Sequence, residues 1–229
     1  MSMVIKPMWG LCNRLRFLFS YYAYAKHLDK KLIVIWEINK DCVGYFLDIF
    51  QPLDGVTFLK DNKNNLTIEY SGHTPISRYN TTCYNKINHY NDLKLLPEIQ
   101  CIVDDYKKNI LESYIAIHVR RTDHVVVAKK NNRYTDDEEF FKFIEEHPEK
   151  KIFLATDNSE TQQLFLSKYG DRICIYKEIV NLESLRKTDI LNSIIDIYIC
   201  SYADIFLGSK WSSFSQLINY FKKVHSEKN

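Results

Sequence analysis

The chain has 229 residues, of which 45% are hydrophobic and 26% are charged, and its net charge is +2. This composition is that of a folded globular protein, so it excludes a disordered chain. The small net charge and the lack of a basic stripe with interleaved aromatic residues give no support to a nucleic-acid or membrane partner.

The six cysteines are scattered along the chain, without a C-x-x-C pair. This spacing supports neither a zinc site nor a disulfide framework. Reduced cysteines indicate a cytoplasmic protein. Because no run of about 18 apolar residues is present, we also expect no transmembrane segment.

The N-terminal half, residues 1–111, is predicted to be a small α/β domain. Residues 71–92 are polar and irregular, and their length indicates a functional loop. Apolar runs and helical spacing predict strands over 3–6, 31–36, 56–59 and 66–70, helices over 14–28 and 42–50, and a partly helical segment over 93–111.

A loop over residues 6–14 joins the first predicted strand to the first predicted helix. Gly10 is expected to permit a tight turn there, and Asn13 and Arg14 to project from the start of the helix. With one glycine, the loop is not a dinucleotide-binding fingerprint. An ordinary strand–helix turn remains an equally good interpretation.

The C-terminal half, residues 112–229, alternates strands with helices. This order predicts right-handed crossovers and a parallel sheet covered on both faces, hence a doubly wound α/β domain. Ser159 and Ser212 are expected to cap helices, and Gly170 to end one. The predicted strands cover 114–119, 151–155, 172–176 and 204–208, and the predicted helices cover 136–146, 160–168, 182–202 and 213–224.

Polar residues follow three of these strands. Ligands of open parallel sheets bind outside the carboxyl ends of the strands. Paired arginines match phosphate oxygens, and a serine-rich helix start adds N–H donors, so the pattern predicts a diphosphate site. The alternative is that both arginines are surface residues paired with Asp123 or Asp157. The three clusters are Arg120, Arg121 and Asp123; Thr156, Asp157 and Asn158; and Ser209, Ser212 and Ser213.

Three segments of this half resemble a known family. Residues 115–123 resemble the H-V-R-R-T-D signature of the α1,6-fucosyltransferases and of the rhizobial nodulation fucosyltransferase. Residues 153–158 resemble the second motif of that superfamily, and residues 196–206 with 211–215 resemble the third. Residues 10–16 are similar, more loosely, to microbial members of the same superfamily.

The resemblance implies a GT-B-like fold, with two Rossmann-like α/β domains whose parallel sheets face an interdomain cleft. It also implies an inverting, metal-independent transfer of fucose from GDP-fucose to a glycan or glycoconjugate hydroxyl, without a cofactor. Arg120 would bind the diphosphate, and Asp123 would support Arg120 or Arg121. His118, by pattern alone a core histidine, would contact the guanine together with Asp196. The expected substrate-binding set is Gly10, Asn13, Arg14, His118, Arg121, Thr156, Asp157, Asp196, Ser212, Ser213 and Ser215.

One position departs from the family pattern. The catalytic glutamate of the α1,6 enzymes lies five residues beyond the signature aspartate, where this chain has Ala128. His124 is taken as the replacement base, with Glu37 and Asp41 as further candidates, so the expected catalytic set is Arg120, Asp123 and His124. Two alternatives remain: the same fold with another GDP-sugar or UDP-xylose as donor, and a non-catalytic nucleotide- or sugar-binding module.

Overall fold

A computed structural model describes residues 2–76, 89–109, 113–179 and 189–226. The chain divides into two compact units, Met1–Gln100 and Cys101–Asn229. Each unit contains a four-stranded sheet whose neighbouring strands all run parallel. The α/β class and the two parallel sheets are as predicted, while the expected boundary between residues 111 and 112 lies outside the described residues.

The first unit is built around strand β1, whose apolar side chains Met3 and Ile5 are buried. Its sheet has the order β3-β2-β1-β4. Short 3₁₀ turns occupy Phe46–Asp48 and His89–Asp92. Its elements are β1 (Ser2–Pro7), α1 (Leu11–His27), β2 (Lys31–Ile35), β3 (Val56–Leu59), β4 (Tyr70–Gly72) and α2 (Pro97–Asn109), the last of which continues into the second unit.

Two predictions for this unit were wrong. The helix expected over 42–50 is only the turn Phe46–Asp48, because the buried Trp36 indole donates a hydrogen bond to Gly44 O at 3.0 Å and Phe46 stacks on Phe58. These tertiary contacts override the helical periodicity. The strand expected over 66–70 is replaced by Tyr70–Gly72, because Asn62 bonds both backbone groups of Leu66 and folds it into a loop.

The second unit has the sheet order β7-β6-β5-β8. All six residues of β5 are buried, as its continuous apolar pattern predicted. Ile115 and Ile117 pack on one face against Phe140 and Phe165, while Tyr114 on the other face donates to Ile199 O. Its elements are β5 (Tyr114–Val119), α3 (His124–Lys130), α4 (Asp137–Glu145), β6 (Lys151–Thr156), α5 (Ser159–Tyr169), β7 (Ile173–Cys174), α6 (Ile190–Tyr202), β8 (Ile205–Gly208) and α7 (Ser213–Ser226).

The helix ends of this unit largely follow the predicted signals. Gly170 ends α5 with φ at 52°, and Ser212 accepts a hydrogen bond from Ser215 N at 3.4 Å. Asn158, not Ser159, caps α5, because its carboxamide oxygen accepts from Thr161 N at 2.8 Å. Helix α3 was not predicted, β7 is shorter than expected, and residues 182–188 of the long predicted helix lie outside the described residues.

Five cysteines in the described part of the chain form no disulfide bond, namely Cys12, Cys42, Cys101, Cys174 and Cys200. Cys83 lies outside that part. None of the helices formed by the described residues is long and apolar enough to cross a membrane.

Candidate active site

The polar clusters of the second unit meet at one edge of its sheet. Strand β5 lies between β6 and β8, with Val119 beside Thr156 and His118 beside Gly208. The next residue of each strand therefore emerges at the same edge, and these residues are Arg120, Asp157 and Ser209. This is the carboxyl edge, where open α/β sheets bind their ligands.

Arg120 is held at this edge through both its backbone and its side chain. Its N–H donates to Ser209 Oγ at 2.9 Å, and Ser209 Oγ donates to His118 O at 3.1 Å. Its guanidinium group contacts Asp157 Oδ2 at 2.9 Å and Asp123 Oδ1 at 2.6 Å. Asp123 thus supports Arg120. The carboxylates named in the alternative interpretation are indeed its partners, but both belong to the same cluster.

The two carboxylates around Arg120 differ in their environment. The side chain of Asp157 is 8% exposed, and that of Asp123 is 52% exposed. Asp157 also accepts hydrogen bonds from Arg121 N at 2.8 Å and from Thr122 Oγ1. Asp157 is therefore a fixed anchor, whereas Asp123 makes a solvent-exposed contact that water can replace.

Arg121 was predicted to bind phosphate, but its side chain contacts other groups in the structure. Its guanidinium group forms an ion pair with Asp137, donates to Thr135 O at 3.1 Å, and lies over the ring of Tyr134. These contacts bind it to the segment that joins α3 to α4. In this structure the Arg121 side chain fixes a loop beside the site instead of presenting its donors to the edge.

His118 and the start of α7 form the neighbouring part of the edge. The buried His118 ring lies 2.7 Å from Ser215 Oγ through Nδ1 and stacks on Phe214. A Cβ atom on Gly208 would lie 2.6 Å from Ser215 Cβ, so β8 and α7 are in direct contact. His118 therefore ties the central strand to a helix start that carries Ser212 and Ser213. A contact with guanine remains a prediction.

Two residues of the predicted substrate-binding set, Thr156 and Asp196, have surroundings that differ from the prediction. Thr156 donates from Oγ1 to Val119 O at 2.7 Å and braces the strand ends from a buried position. Asp196 lies on α6, where burial first and the charge of Asp189 second raise its pKa well above the usual range. Burial first, and then the nearby charges of Cys174 and Asp196, raise the pKa of Tyr106. The predicted contact of Asp196 with guanine stays a prediction.

The N-terminal loop of the first unit also differs from its prediction. The left-handed backbone conformation belongs to Trp9, with φ at 73°, while Gly10 has φ at −73° and caps α1. Asn13 accepts a hydrogen bond from Arg16. The fully buried Arg14 donates to Trp9 O at 2.7 Å and to Glu37 O at 2.6 Å, so it organises the loop instead of contacting a substrate.

The candidate bases have distinct positions. Ala128 is completely buried on α3, so this position serves packing in this chain. His124 begins α3, and its side chain lies outside the described atoms. Glu37 pairs with Lys6 at 2.7 Å at the carboxyl end of β2, and Asp41 donates its N–H to Asn39 Oδ1. Across the described ranges, no group of three or more His, Cys, Asp or Glu side chains could hold a metal ion.

Two further residues shape the edge, and only the first of them was predicted from the sequence. Ser209, one of the polar residues expected after β8, connects that strand to Arg120. Thr135 accepts from Lys210 N at 2.9 Å and from Arg121, so it joins the loops that follow β5 and β8. A threonine between two short helices carries no sequence pattern that would predict this link.

A family model described as "GDP-fucose protein O-fucosyltransferase" matches residues 13–225. The chain belongs to the GDP-fucose protein O-fucosyltransferase family. Membership confirms the predicted fucosyltransferase superfamily and the enzyme class, because this is a family of glycosyltransferases. A comparison with curated protein sequences gives no match.

Solved structures share the fold of this O-fucosyltransferase family member. NodZ α1,6-fucosyltransferase soaked with GDP-fucose matches with a TM-score of 0.63 and 14% identity, over 96% of this chain and 93% of that chain. NodZ from Bradyrhizobium matches with a TM-score of 0.64 and 14% identity, over 95% and 92%. POFUT1 in complex with GDP matches with a TM-score of 0.64 and 12% identity, over 97% and 94%. These matches confirm the GT-B-like fold class.

Proposed function

We propose that this enzyme transfers fucose from GDP-fucose to a hydroxyl of a glycan or glycoconjugate, with inversion at the anomeric carbon and without a divalent metal. The observation that carries the proposal is the position of Arg120, anchored by Asp157 and Ser209 beside a serine-rich helix start. The family description and the NodZ structure soaked with GDP-fucose support the donor.

Arg120 binds the diphosphate by exchanging one carboxylate for a phosphate. The buried Asp157 keeps its contact and fixes the guanidinium plane. The exposed Asp123 releases the other terminal nitrogen, because an exposed ion pair contributes only about 0–1 kcal/mol. The charge-assisted bond to phosphate then forms without moving the anchor, and Asp123 returns when the nucleotide leaves.

Transfer is a displacement at the anomeric carbon. The acceptor oxygen forms the new bond as the bond to the diphosphate breaks, and the electron pair leaves with the phosphate oxygen. Arg120 stabilises the charge that develops there, which is where an enzyme gains most rate. The acceptor proton passes to a base. We assign this role to His124, with Glu37 and Asp41 as alternatives, because Ala128 cannot perform it.

The donor base is recognised by Asp196 and His118. A carboxylate at Asp196 accepts two hydrogen bonds from the N1–H and amino groups of guanine, whereas uracil offers one N–H on the corresponding edge. Because burial favours the neutral carboxyl before the base arrives, guanine binding is accompanied by proton release. UDP-xylose as donor would leave this carboxyl without its second partner.

The test is transfer of fucose from GDP-fucose to a panel of glycans, detected by mass spectrometry and by GDP release. We expect turnover with wild type, with and without a chelator, and a rate about 100- to 1,000-fold lower with Arg120→Ala. Arg133→Ala, which removes an equal charge from an exposed position, is the matched control and keeps the wild-type rate. Fucose transfer by Arg120→Ala at the wild-type rate would refute the role of Arg120.

A non-catalytic nucleotide-binding module is the second candidate, and one observation favours it: the buried Ala128 replaces the family glutamate. It predicts binding of GDP-fucose without release of GDP in the presence of any acceptor. We also place the enzyme in the cytoplasm. Thiol titration of the natively purified protein tests this location, because oxidised cysteines would contradict it.

A further inference from the structure

Trp9 has an unusual backbone conformation for a large residue. Its φ is 73°, in the left-handed region, although its side chain is bulky and 51% exposed. A bulky residue in this region is a genuine outlier, and such conformations persist where the surrounding structure enforces them, often at ligand-binding sites. The strain is not explained by burial of the indole ring, because half of Trp9 faces solvent.

Three contacts enforce the conformation of Trp9. The buried Arg14 donates from Nε to Trp9 O at 2.7 Å, and Met8 N donates to Gly72 O at 2.7 Å. The indole ring stacks on His73, with ring centroids 4.2 Å apart and an angle of 24° between the planes. His73 therefore packs against one face of the indole ring, while Trp9 stays 51% exposed. We call this stacked pair the Trp9–His73 platform.

The platform lies at the carboxyl edge of the first sheet. Trp9 follows β1, His73 follows β4, and Glu37 follows β2, in a sheet where β1 lies between the other two. Arg14 joins these positions, because it also donates to Glu37 O at 2.6 Å. Parallel sheets bind ligands at this edge. One buried arginine therefore fixes the backbone beside both an exposed aromatic ring and a carboxylate.

The Glu37 carboxylate has capacity to bind a ligand. Its Oε1 pairs with Lys6 Nζ at 2.7 Å, whereas Oε2 makes no hydrogen bond within the described residues. The side chain is 37% exposed. A pyranose ring has the matching chemistry, since its axial C–H bonds form an apolar face and its hydroxyl groups donate from the rim.

We propose that the Trp9–His73 platform is the acceptor site, and that it stacks against the C–H face of a pyranose ring whose hydroxyl group donates to Glu37. This inference rests on the proposed function, because it assigns the acceptor of that transfer to a glycan. A polypeptide acceptor is the competing case. It provides neither a rigid ring face for the exposed indole ring nor the same rim of hydroxyl groups for the carboxylate.

Saturation-transfer difference NMR on the full chain tests the proposal without requiring turnover. The probes are methyl β-D-glucopyranoside, methyl β-D-galactopyranoside, N-acetyl-D-glucosamine and a serine- and threonine-containing peptide without sugar. We expect the ring C–H protons of at least one sugar to receive saturation from wild type. Trp9→Gly should weaken this binding roughly tenfold, as expected from loss of one aromatic stacking contact.

Two further variants separate stacking from folding. Trp9→Phe keeps an aromatic ring and should retain the sugar signal. Leu28→Ala changes an exposed apolar side chain at the far end of α1, so its signal should equal that of wild type. Trp9→Gly itself should keep the wild-type Tm, because glycine adopts a positive φ without strain. Sugar binding unchanged in folded Trp9→Gly, or saturation of the peptide alone, would overturn the proposal.

A GDP-induced rise in Tm, measured on the same samples, separates this proposal from the proposed donor. GDP should stabilise wild type and Trp9→Gly equally, because the residues assigned to the diphosphate and the guanine, Arg120, His118 and Asp196, all belong to the second unit. If GDP does not raise the Tm of wild type but sugar binding is retained, the proposed donor is contradicted and the proposed acceptor site is not. Retained GDP stabilisation with no sugar bound by wild type contradicts the platform alone.

Discussion

Arg120 and Asp157 form an ion pair of 2.9 Å in which the carboxylate is the more buried partner. Asp157 also accepts hydrogen bonds from the backbone of Arg121 and the hydroxyl of Thr122. It therefore fixes the whole turn that follows β5, and Arg120 depends on that turn for its position.

Asp157→Asn should lower the free energy of unfolding by about 2 kcal/mol. Loss of one partner from a fully buried pair costs about 3–5 kcal/mol, and the partial exposure of Arg120 reduces this value. Asp123→Asn, at an exposed position of the same cluster, should cost less than about 1 kcal/mol. Urea denaturation of both variants checks the difference, and equal losses would show that Asp157 is not the anchor.

Arg120→Ala and Arg121→Ala should differ in their effect on activity. Arg121 holds a loop through Asp137 and Thr135, so its removal should lower Tm by several degrees, as expected for about 1–2 kcal/mol, and leave transfer largely intact. Arg120→Ala leaves the buried Asp157 without its ion-pair partner, so it should lower Tm by several degrees as well, but it should also lower kcat/KM by about 100- to 1,000-fold, the usual loss for a donor to developing charge.

Thermal melts and fucosyltransfer rates on the same preparations measure both effects. The opposite pattern, with Arg121→Ala inactive at full stability, would restore the sequence-based view that both arginines bind phosphate.

Asp196→Asn should stabilise the unliganded protein at neutral pH. The pKa of Asp196 is raised in the folded state, whereas in the unfolded state it is about 4. Between these two pKa values the native state binds more protons than the unfolded state. Wild-type stability therefore falls as pH rises through this window. The amide of the variant does not titrate. The Tm difference between variant and wild type should therefore be near zero below pH 4 and should grow as the pH rises.

GDP binding should show the complementary effect of Asp196. If guanine binds the ionised carboxylate, Asp196→Asn should weaken GDP binding at neutral pH, while it raises the Tm of the unliganded protein. Calorimetry in two buffers of different ionisation enthalpy measures the accompanying proton release. A variant that binds GDP as tightly as wild type would remove Asp196 from the base site.

Gly208→Ala should lower both stability and GDP affinity. The added Cβ would lie 2.6 Å from Ser215 Cβ, so the start of α7 must move away from β8. Overpacking of this kind costs about 1–3 kcal/mol. Adding Ser215→Gly to Gly208→Ala removes the two nearest opposing atoms, although Phe206 Cζ at 2.8 Å remains, and should recover part of the lost stability, measured by urea denaturation. No recovery would place the strain elsewhere.

The sequence predicted the elements whose position depends on strand pattern and sheet rules. Tyr114–Val119 was recognisable as a buried strand because its apolar run is continuous, and the carboxyl-edge rule then placed Arg120, Asp157 and Ser209 together. Only strand order was needed for this step.

Features that depend on tertiary contacts were not predictable in the same way. The partner of Arg121 is Asp137, which lies in a predicted helix and had no predicted role. The left-handed turn belongs to Trp9 instead of Gly10, because a buried arginine and a stacked histidine hold it there. Helix α3 contains Val125, Val126 and Val127. Because β-branched residues have a low helix propensity, the sequence did not indicate a short helix there.

Calorimetric titration of GDP and UDP into wild type, Arg120→Ala and Arg133→Ala measures how much Arg120 contributes to nucleotide binding. Wild type and Arg133→Ala should bind GDP with equal affinity and prefer it to UDP. Arg120→Ala should bind GDP at least about tenfold more weakly, because one charge-assisted hydrogen bond contributes about 1.5–3 kcal/mol. Equal GDP affinity in Arg120→Ala would show that Arg120 does not bind the diphosphate, and tighter binding of UDP by wild type would exclude a GDP-sugar as the preferred donor.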